Sequence, residues 1–179
     1  MIPRRSSRRF DLVILIAMMF SLIPSLAPAG AAAEQGIFGW VEWVTLPDAG
    51  LRLKTKLDTG AATSSIHAVN IERFKRDGVR MVKFDLVDPD SQEAIARELE
   101  VERSVRIREH DGSFQRRPVV AMDICIGGMS RTIEVNLVDR SEFNYPFLLG
   151  RSAMSGSMIV DPGETFTATS SCTERGTVD

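Results

Sequence analysis

The sequence predicts an all-β domain whose hairpins close into a barrel or a sandwich, and three observations point there. From Trp40 onward, short runs of Val, Ile, Leu and Phe alternate with polar residues. Turn residues punctuate these runs: Pro47-Asp48-Ala49-Gly50, Asp77-Gly78, Asp88-Pro89-Asp90, Asp111-Gly112 and Gly127-Gly128. Only Ser91–Arg97 and Arg151–Ser155 read as helix, and both are too short to carry parallel crossovers, which need a dozen or more residues.

Ahead of the domain, residues 1–33 have the three parts of a secretory signal peptide. Arg4, Arg5, Arg8 and Arg9 give the basic start, Leu12–Ile23 an uncharged apolar run, and Pro24, Pro28 and Ala31–Ala33 the small-residue end. The run of 12 residues is short of the roughly 20 that span a bilayer, so cleavage after Ala33 or Ala29 is expected. An uncleaved signal anchor is the alternative. Phe10-Asp11 after the Arg8-Arg9 pair fits twin-arginine export poorly, which leaves general secretion to the periplasm or the exterior.

The expected strands follow in order: Val41–Leu46, Leu51–Leu57, Ser65–Val69, Val79–Val87, Glu98–Glu109, Phe114–Ile126, Ser130–Val138 and Phe147–Leu149. The domain is expected over 34–166, with a polar, disordered tail over 167–179. Export implies an oxidising compartment, yet Cys125 and Cys172 allow one bridge at most. The reading taken is a buried thiol at Cys125 and a free one in the tail, with a bridge as its rival.

Composition narrows the function. With 179 residues, 44% hydrophobic and 26% charged, the chain has the profile of one globular domain, not of a disordered, collagenous or polytopic membrane protein. A net charge of −2 leaves no global footprint for nucleic acid.

Two segments could carry chemistry. In Lys56-Leu57-Asp58-Thr59-Gly60-Ala61 an apolar strand ends in a carboxylate at a tight loop, where Gly60 admits a close backbone and the Thr59 hydroxyl can brace a neighbour. The plain alternative is an Asx turn in which Asp58 only holds local amides. The second is Pro146-Phe147-Leu148-Leu149-Gly150-Arg151, an apolar strand running into a short helix about 90 residues later.

Taken in that order on an all-β chain, the two segments resemble the retropepsin-like aspartic peptidases. More closely, Gly39–Pro47, Lys56–Ala61, Ser65–Ala68, Leu148–Arg151 and Val160–Pro162 resemble a bacterial family labelled ATP-dependent zinc proteases. The resemblance implies a closed acid-protease barrel with a hairpin flap and one short C-terminal helix. The zinc and ATP of the label find no support. Two histidines, His67 and His110, fall short of the usual three zinc ligands, and Gly127-Gly128-Met129-Ser130 lacks the length and the Lys of a phosphate loop. No cofactor and no metal are expected.

Aspartic peptidases need two carboxylates sharing a proton, and this chain has a single Asp-Thr-Gly. The resemblance therefore implies a homodimer in which Asp58 meets its symmetry mate, with Thr59, Gly60 and Ala61 forming the loop and Leu149, Gly150 and Arg151 packing behind it. The flap is placed around His110, Asp111 and Gly112. If its strands alternate, Arg106 and Arg108 share a face and could grip carboxylates, implying acidic or glutamate-containing peptides as substrates. A solvated edge that discourages aggregation is the plainer account of those arginines.

Phe74–Glu102 reads as an inserted hairpin and linker, His67 as a structural histidine near the active loop, and Asp161 as a turn residue. Two rival functions stay open: a non-catalytic periplasmic peptide-binding module on the same fold, and metal-dependent hydrolysis at His67 or His110.

Overall fold

The computed structural model describes residues 35–108, 112–169 and Cys172. The expected signal segment, His110 and Asp111 of the expected flap, and the rest of the tail lie outside the described residues. The strands are β1 (Gly36–Leu46), β2 (Leu51–Leu57), β3 (Ser64–His67), β4 (Val69–Arg76), β5 (Val79–Val87), β6 (Ala94–Glu100), β7 (Arg103–Arg108), β8 (Phe114–Ile126), β9 (Met129–Val138), β10 (Phe147–Leu149) and β11 (Met158–Thr165). A 3-10 turn, Pro47–Ala49, joins β1 to β2, and the helix α1 (Arg151–Met154) follows β10.

Six strands, ordered β1-β2-β10-β3-β9-β8, close into a barrel where Thr45 of β1 meets Cys125 of β8. Alternation decides which side chains fill it. In β2, Leu51, Leu53, Thr55 and Leu57 are buried while Arg52 and Lys54 face water. Phe147, Leu149, Ile66, Val135, Val120 and Ile124 are fully buried, each large side chain contributing roughly 1.5–3 kcal/mol. The Gly127-Gly128 hairpin joins β8 to β9 with φ of 55° and 78°, the paired positive values that a two-residue turn between twisted strands requires.

Beside the barrel, β4, β5 and β6 form a second, three-stranded sheet that buries Val82, Phe84 and Leu86. It corrects several expectations. Ser91–Arg97 is not a helix: Ala94–Glu100 pairs with β5 along its whole length, and that partner outweighs the helix preference of its Ala and Glu residues. The Asp88 carboxylate accepts the Asp90 amide at 2.8 Å to make the turn before it. The expected strand Glu98–Glu109 is two, divided at Val101-Glu102, with β6 in the small sheet and β7 against β8. Ser65–Val69 likewise breaks at Ala68, and β4 starts the inserted region earlier than Phe74.

The C-terminal stretch departs most from expectation. Met158–Thr165, absent from the expected strands, is a strand running parallel to β1, within which Asp161 accepts the Gly163 amide at 2.8 Å. Phe166 then donates its amide to Val41 at 2.8 Å and packs on Trp43, ring centroids 5.6 Å apart. Glu42, 1% exposed, accepts from the amide and hydroxyl of Thr167 at 2.9 and 2.8 Å and from the Ala168 amide at 3.2 Å. Cys172 is bonded to Cys125. The free-thiol reading is therefore corrected: an oxidised bridge and a buried acceptor hold this segment to the barrel.

Candidate active site

The site is built where β2 runs out beside β10. These strands are parallel, with Leu57 opposite Leu149, and the Asp58 amide donates to the Leu149 carbonyl at 2.8 Å, so the carboxylate emerges at the end of a fixed rung. The chain then turns back on itself. Asp58 Oδ1 accepts the amides of Gly60 at 3.0 Å and Ala61 at 3.3 Å, which aims Oδ2 away from the loop.

The Leu149-Gly150-Arg151 segment braces that loop from behind. Arg151 Nη1 donates to the carbonyls of Thr59 and Gly60, both at 2.8 Å, and its amide donates to Ala61 at 2.9 Å. The Gly150 amide donates to Ser64 Oγ at 3.2 Å. A Cβ on Gly150 would lie 2.5 Å from the Thr63 carbonyl, so only glycine lets the two segments approach this closely. Asn136 donates to the Ser64 carbonyl and joins β9 to the same seam.

Asp58 Oδ2 lies 3.1 Å from Lys56 Nζ. The two-residue strand period explains the pairing, because Lys56 and Asp58 fall on one face. Partial burial pushes the Asp58 carboxyl up, but the Lys56 hydrogen bond and charge, with the Gly60 and Ala61 amides, outweigh it and hold the group below its ordinary range.

Asp58 and Lys56 open on a cleft of about 410 Å³ walled by Trp40, Phe143 and Tyr145, with Leu148 between Lys56 and Ser65 across the strands. Trp40 and Tyr145 meet edge to face at 5.9 Å. Arg140 enters from the loop after β9. It is 7% exposed, donating from Nη1 to Ser65 Oγ at 2.8 Å and from Nε to the Tyr145 carbonyl at 3.1 Å, with its guanidinium 4.6 Å over the Phe143 ring. Burial, then the like charge of Arg117, pulls its pKa down, and the negative charge of Asp58 pushes back. The Arg140 amide donates to His67 Nδ1 at 2.9 Å, which gives His67 a positioning role in this loop.

Asp58, Thr59, Gly60, Ala61, Leu149, Gly150 and Arg151 thus stand together. Arg106 and Arg108 do share an exposed face of β7, but neither lines the Asp58 cleft, and Arg106 lies 4.4 Å over Phe114. Arg116 and Arg117 line a separate, wider groove of about 800 Å³ with Arg73. Gly112 is exposed at the described edge of the hairpin, with φ of 86°. Sequence reasoning missed Arg140, which has no motif around it, and the pairing of Lys56, which the Lys-x-Asp spacing at a strand end could have signalled.

Comparison with known proteins extends this beyond one loop. Residues 37–171 match the RimB-like family, described as the retropepsin-like aspartic endopeptidase RimB. Among curated relatives, a probable alpha-L-glutamate ligase of Shewanella halifaxensis is 41% identical over 133 residues, 73% of this chain and 29% of that protein. Another of the same name, from Parasynechococcus marenigrum, is 40% identical over 129 residues, 70% of this chain and 28% of that protein. The chain thus spans under a third of the length of these relatives. The crystal structure of a Legionella pneumophila protein of unknown function is 40% identical and superposes with a TM-score of 0.66, over 76% of this chain and 100% of that one. A match that runs from the first barrel strand into the pinned C-terminal segment is a match of the whole domain, and the chain belongs to the RimB-like family of retropepsin-like aspartic endopeptidases.

Proposed function

We propose that the chain is an exported aspartic endopeptidase whose dyad is made by Asp58 from two protomers, and that it cuts acidic or glutamate-containing peptides. The observation that carries the reading is the seating of the Asp58 loop. Amides fix one carboxylate oxygen, Arg151 and Gly150 fix the backbone, and the other oxygen faces a cleft. In a two-fold dimer, two such carboxylates would share one proton. The ionised one would take a proton from water as that water attacks the scissile carbonyl, and its partner would protonate the carbonyl oxygen; collapse would release a carboxylate and an amine.

Two observations support the finer points. The Cys125–Cys172 bridge suits an oxidising compartment, in keeping with export. Lys56 and Arg140 put two cations beside one carboxylate, which suits an acidic substrate, and the relatives named for glutamate ligation carry this domain alongside other chain.

One observation favours a rival, a peptide-binding module without catalysis: Lys56 ties up Asp58 Oδ2 and holds it ionised. Incubating residues 34–179 with a mixed peptide library from about pH 3 to 8, beside Asp58→Asn, separates the two. Cuts that vanish in the variant, from a species that sediments as a dimer, support the peptidase. A folded dimer that binds acidic peptides and cuts none would establish the binding module.

A further inference from the structure

Charge does not balance in the Asp58 cleft. Lys56 and Arg140 contribute two cations and Asp58 one anion among the described residues that line it. Arg140 is also unfinished. Its Nε and Nη1 have partners, whereas Nη2 has no described hydrogen bond. No buried side-chain nitrogen or oxygen among the described residues lacks a partner, so that nitrogen keeps access to solvent, on a residue that lines the cleft. A guanidinium nine-tenths buried, braced on Ser65, Tyr145 and Phe143 and still presenting N–H groups, is preorganised for a planar anion.

Lys56 is its opposite. Its side chain is 39% exposed on a flexible stem, and its one described ion pair is with Asp58 Oδ2. Half-exposed pairs of this kind are weak, and a second carboxylate arriving nearby competes for the ammonium.

We propose that Arg140 and Lys56 form a two-part carboxylate subsite in which Arg140 is the fixed half and Lys56 the exchangeable half. A glutamyl-type side chain held by Arg140 draws Lys56 off Asp58, and Asp58 is thereby released to take its place in the dyad. Acidic substrates are then selected by turnover as well as by affinity. Trp40 and Tyr145 wall the same cleft and pack against the methylenes of such a side chain. This inference rests on the peptidase reading for its kinetic half, while the exchange of Lys56 stands without it.

The test compares two probes, N-acetyl tetraglutamate amide and its tetraglutamine counterpart, on the wild type, Lys56→Met and Arg140→Lys, with folding checked by circular dichroism. The apparent titration of the Asp58 carboxyl is followed by carbon-13 NMR. In the wild type, the glutamate probe moves that titration to higher pH and the glutamine probe does not; in Lys56→Met it begins higher and the glutamate probe moves it less. Arg140→Lys, which keeps the charge and loses the planar fork, weakens binding of the glutamate probe about 10-fold. In turnover of longer Glu and Gln peptides, Lys56→Met raises kcat on the Gln peptide and raises KM on the Glu peptide, a split that a structural role would not produce. A wild-type titration that ignores the glutamate probe overturns the proposal even if Asp58-dependent cleavage is present. A titration that moves without any cleavage keeps the subsite and sinks the peptidase.

Discussion

Two charged side chains are buried among the described residues, Glu42 at 1% exposure and Arg140 at 7%, and they are finished differently. Glu42 is saturated: Oε1 accepts the Gly39 amide at 2.7 Å and both groups of Thr167, and Oε2 accepts the Ala168 amide. Every donor comes from its own chain. Arg140 is held as firmly, by Ser65 and Tyr145, yet keeps a nitrogen for the cleft it shares with Asp58. Burying charge is costly unless hydrogen bonds replace water, so each residue must serve something. A buried charge satisfied entirely by its own chain serves the fold; one left open on a single side serves what enters there.

The largest effect is expected on the saturated side. Glu42→Ala takes the acceptor from the Thr167 and Ala168 amides and leaves the buried Gly39 amide only the Thr167 hydroxyl, and urea denaturation should register a loss of about 3–5 kcal/mol. Binding of the tetraglutamate probe by the protein that remains folded should not change. A loss below about 1 kcal/mol would mean that the Cys125–Cys172 bridge and the contacts with β1 hold the C-terminal segment without Glu42, and would break the comparison on that side.

On the open side the stability cost should be smaller and the functional cost larger. Arg140→Ala leaves Ser65 Oγ and the Tyr145 carbonyl short of a donor and strips the Phe143 ring of its cover, about 2–3 kcal/mol by the same denaturation. Arg106→Ala, on the exposed face of β7, should stay within about 0.5 kcal/mol and leave affinity for the acidic probe unchanged. Loss of that affinity in Arg106→Ala with retention in Arg140→Ala would return acid recognition to the hairpin.

That reversal between Arg106 and Arg140 marks where the sequence is legible. A cluster such as Arg103, Arg106, Arg108, Arg116 and Arg117 is conspicuous because adjacency along the chain can be counted, but adjacency says nothing of burial. Arg103 is spent on Glu134 at 2.6 Å, and Arg106 lies over Phe114. Arg140 stands alone after Val138-Asp139, and its meaning comes from Ser65, more than 70 residues earlier, through a barrel closure that no local pattern encodes. The Asp58 loop and its Leu149-Gly150-Arg151 brace were readable because glycine, a strand end and a carboxylate leave a local signature. The alternating strands of the barrel were readable for the same reason. Ala94–Glu100 was not, because its helix-forming residues are overruled by a partner strand, and Met158–Thr165 was not, because Pro162 and Gly163 disguise an edge strand whose pairing with β1 is long-range.

The smallest effect expected is the pH dependence that Asp58 gives to stability. Its folded-state pKa lies below the unfolded value: burial raises it, but Lys56 and the amides of Gly60 and Ala61 lower it by more. A depressed carboxyl contributes stability that is fully present above the unfolded pKa, about 3.9, and is lost as pH falls through the folded one. The stability difference between wild type and Asp58→Asn should therefore be constant from about pH 7 to 5 and shrink only below about pH 4. Half-exposure of Lys56 makes that difference salt-sensitive, so it should also narrow in high salt. If wild type instead gains stability over Asp58→Asn as pH falls from about 7 to 5, the folded Asp58 carboxyl is taking up a proton there, as a carboxylate facing a second carboxylate would. Repeating the titration over a range of protein concentrations then separates the lone, Lys56-bound Asp58 from the proposed two-protomer dyad, because only a dyad moves with protein concentration.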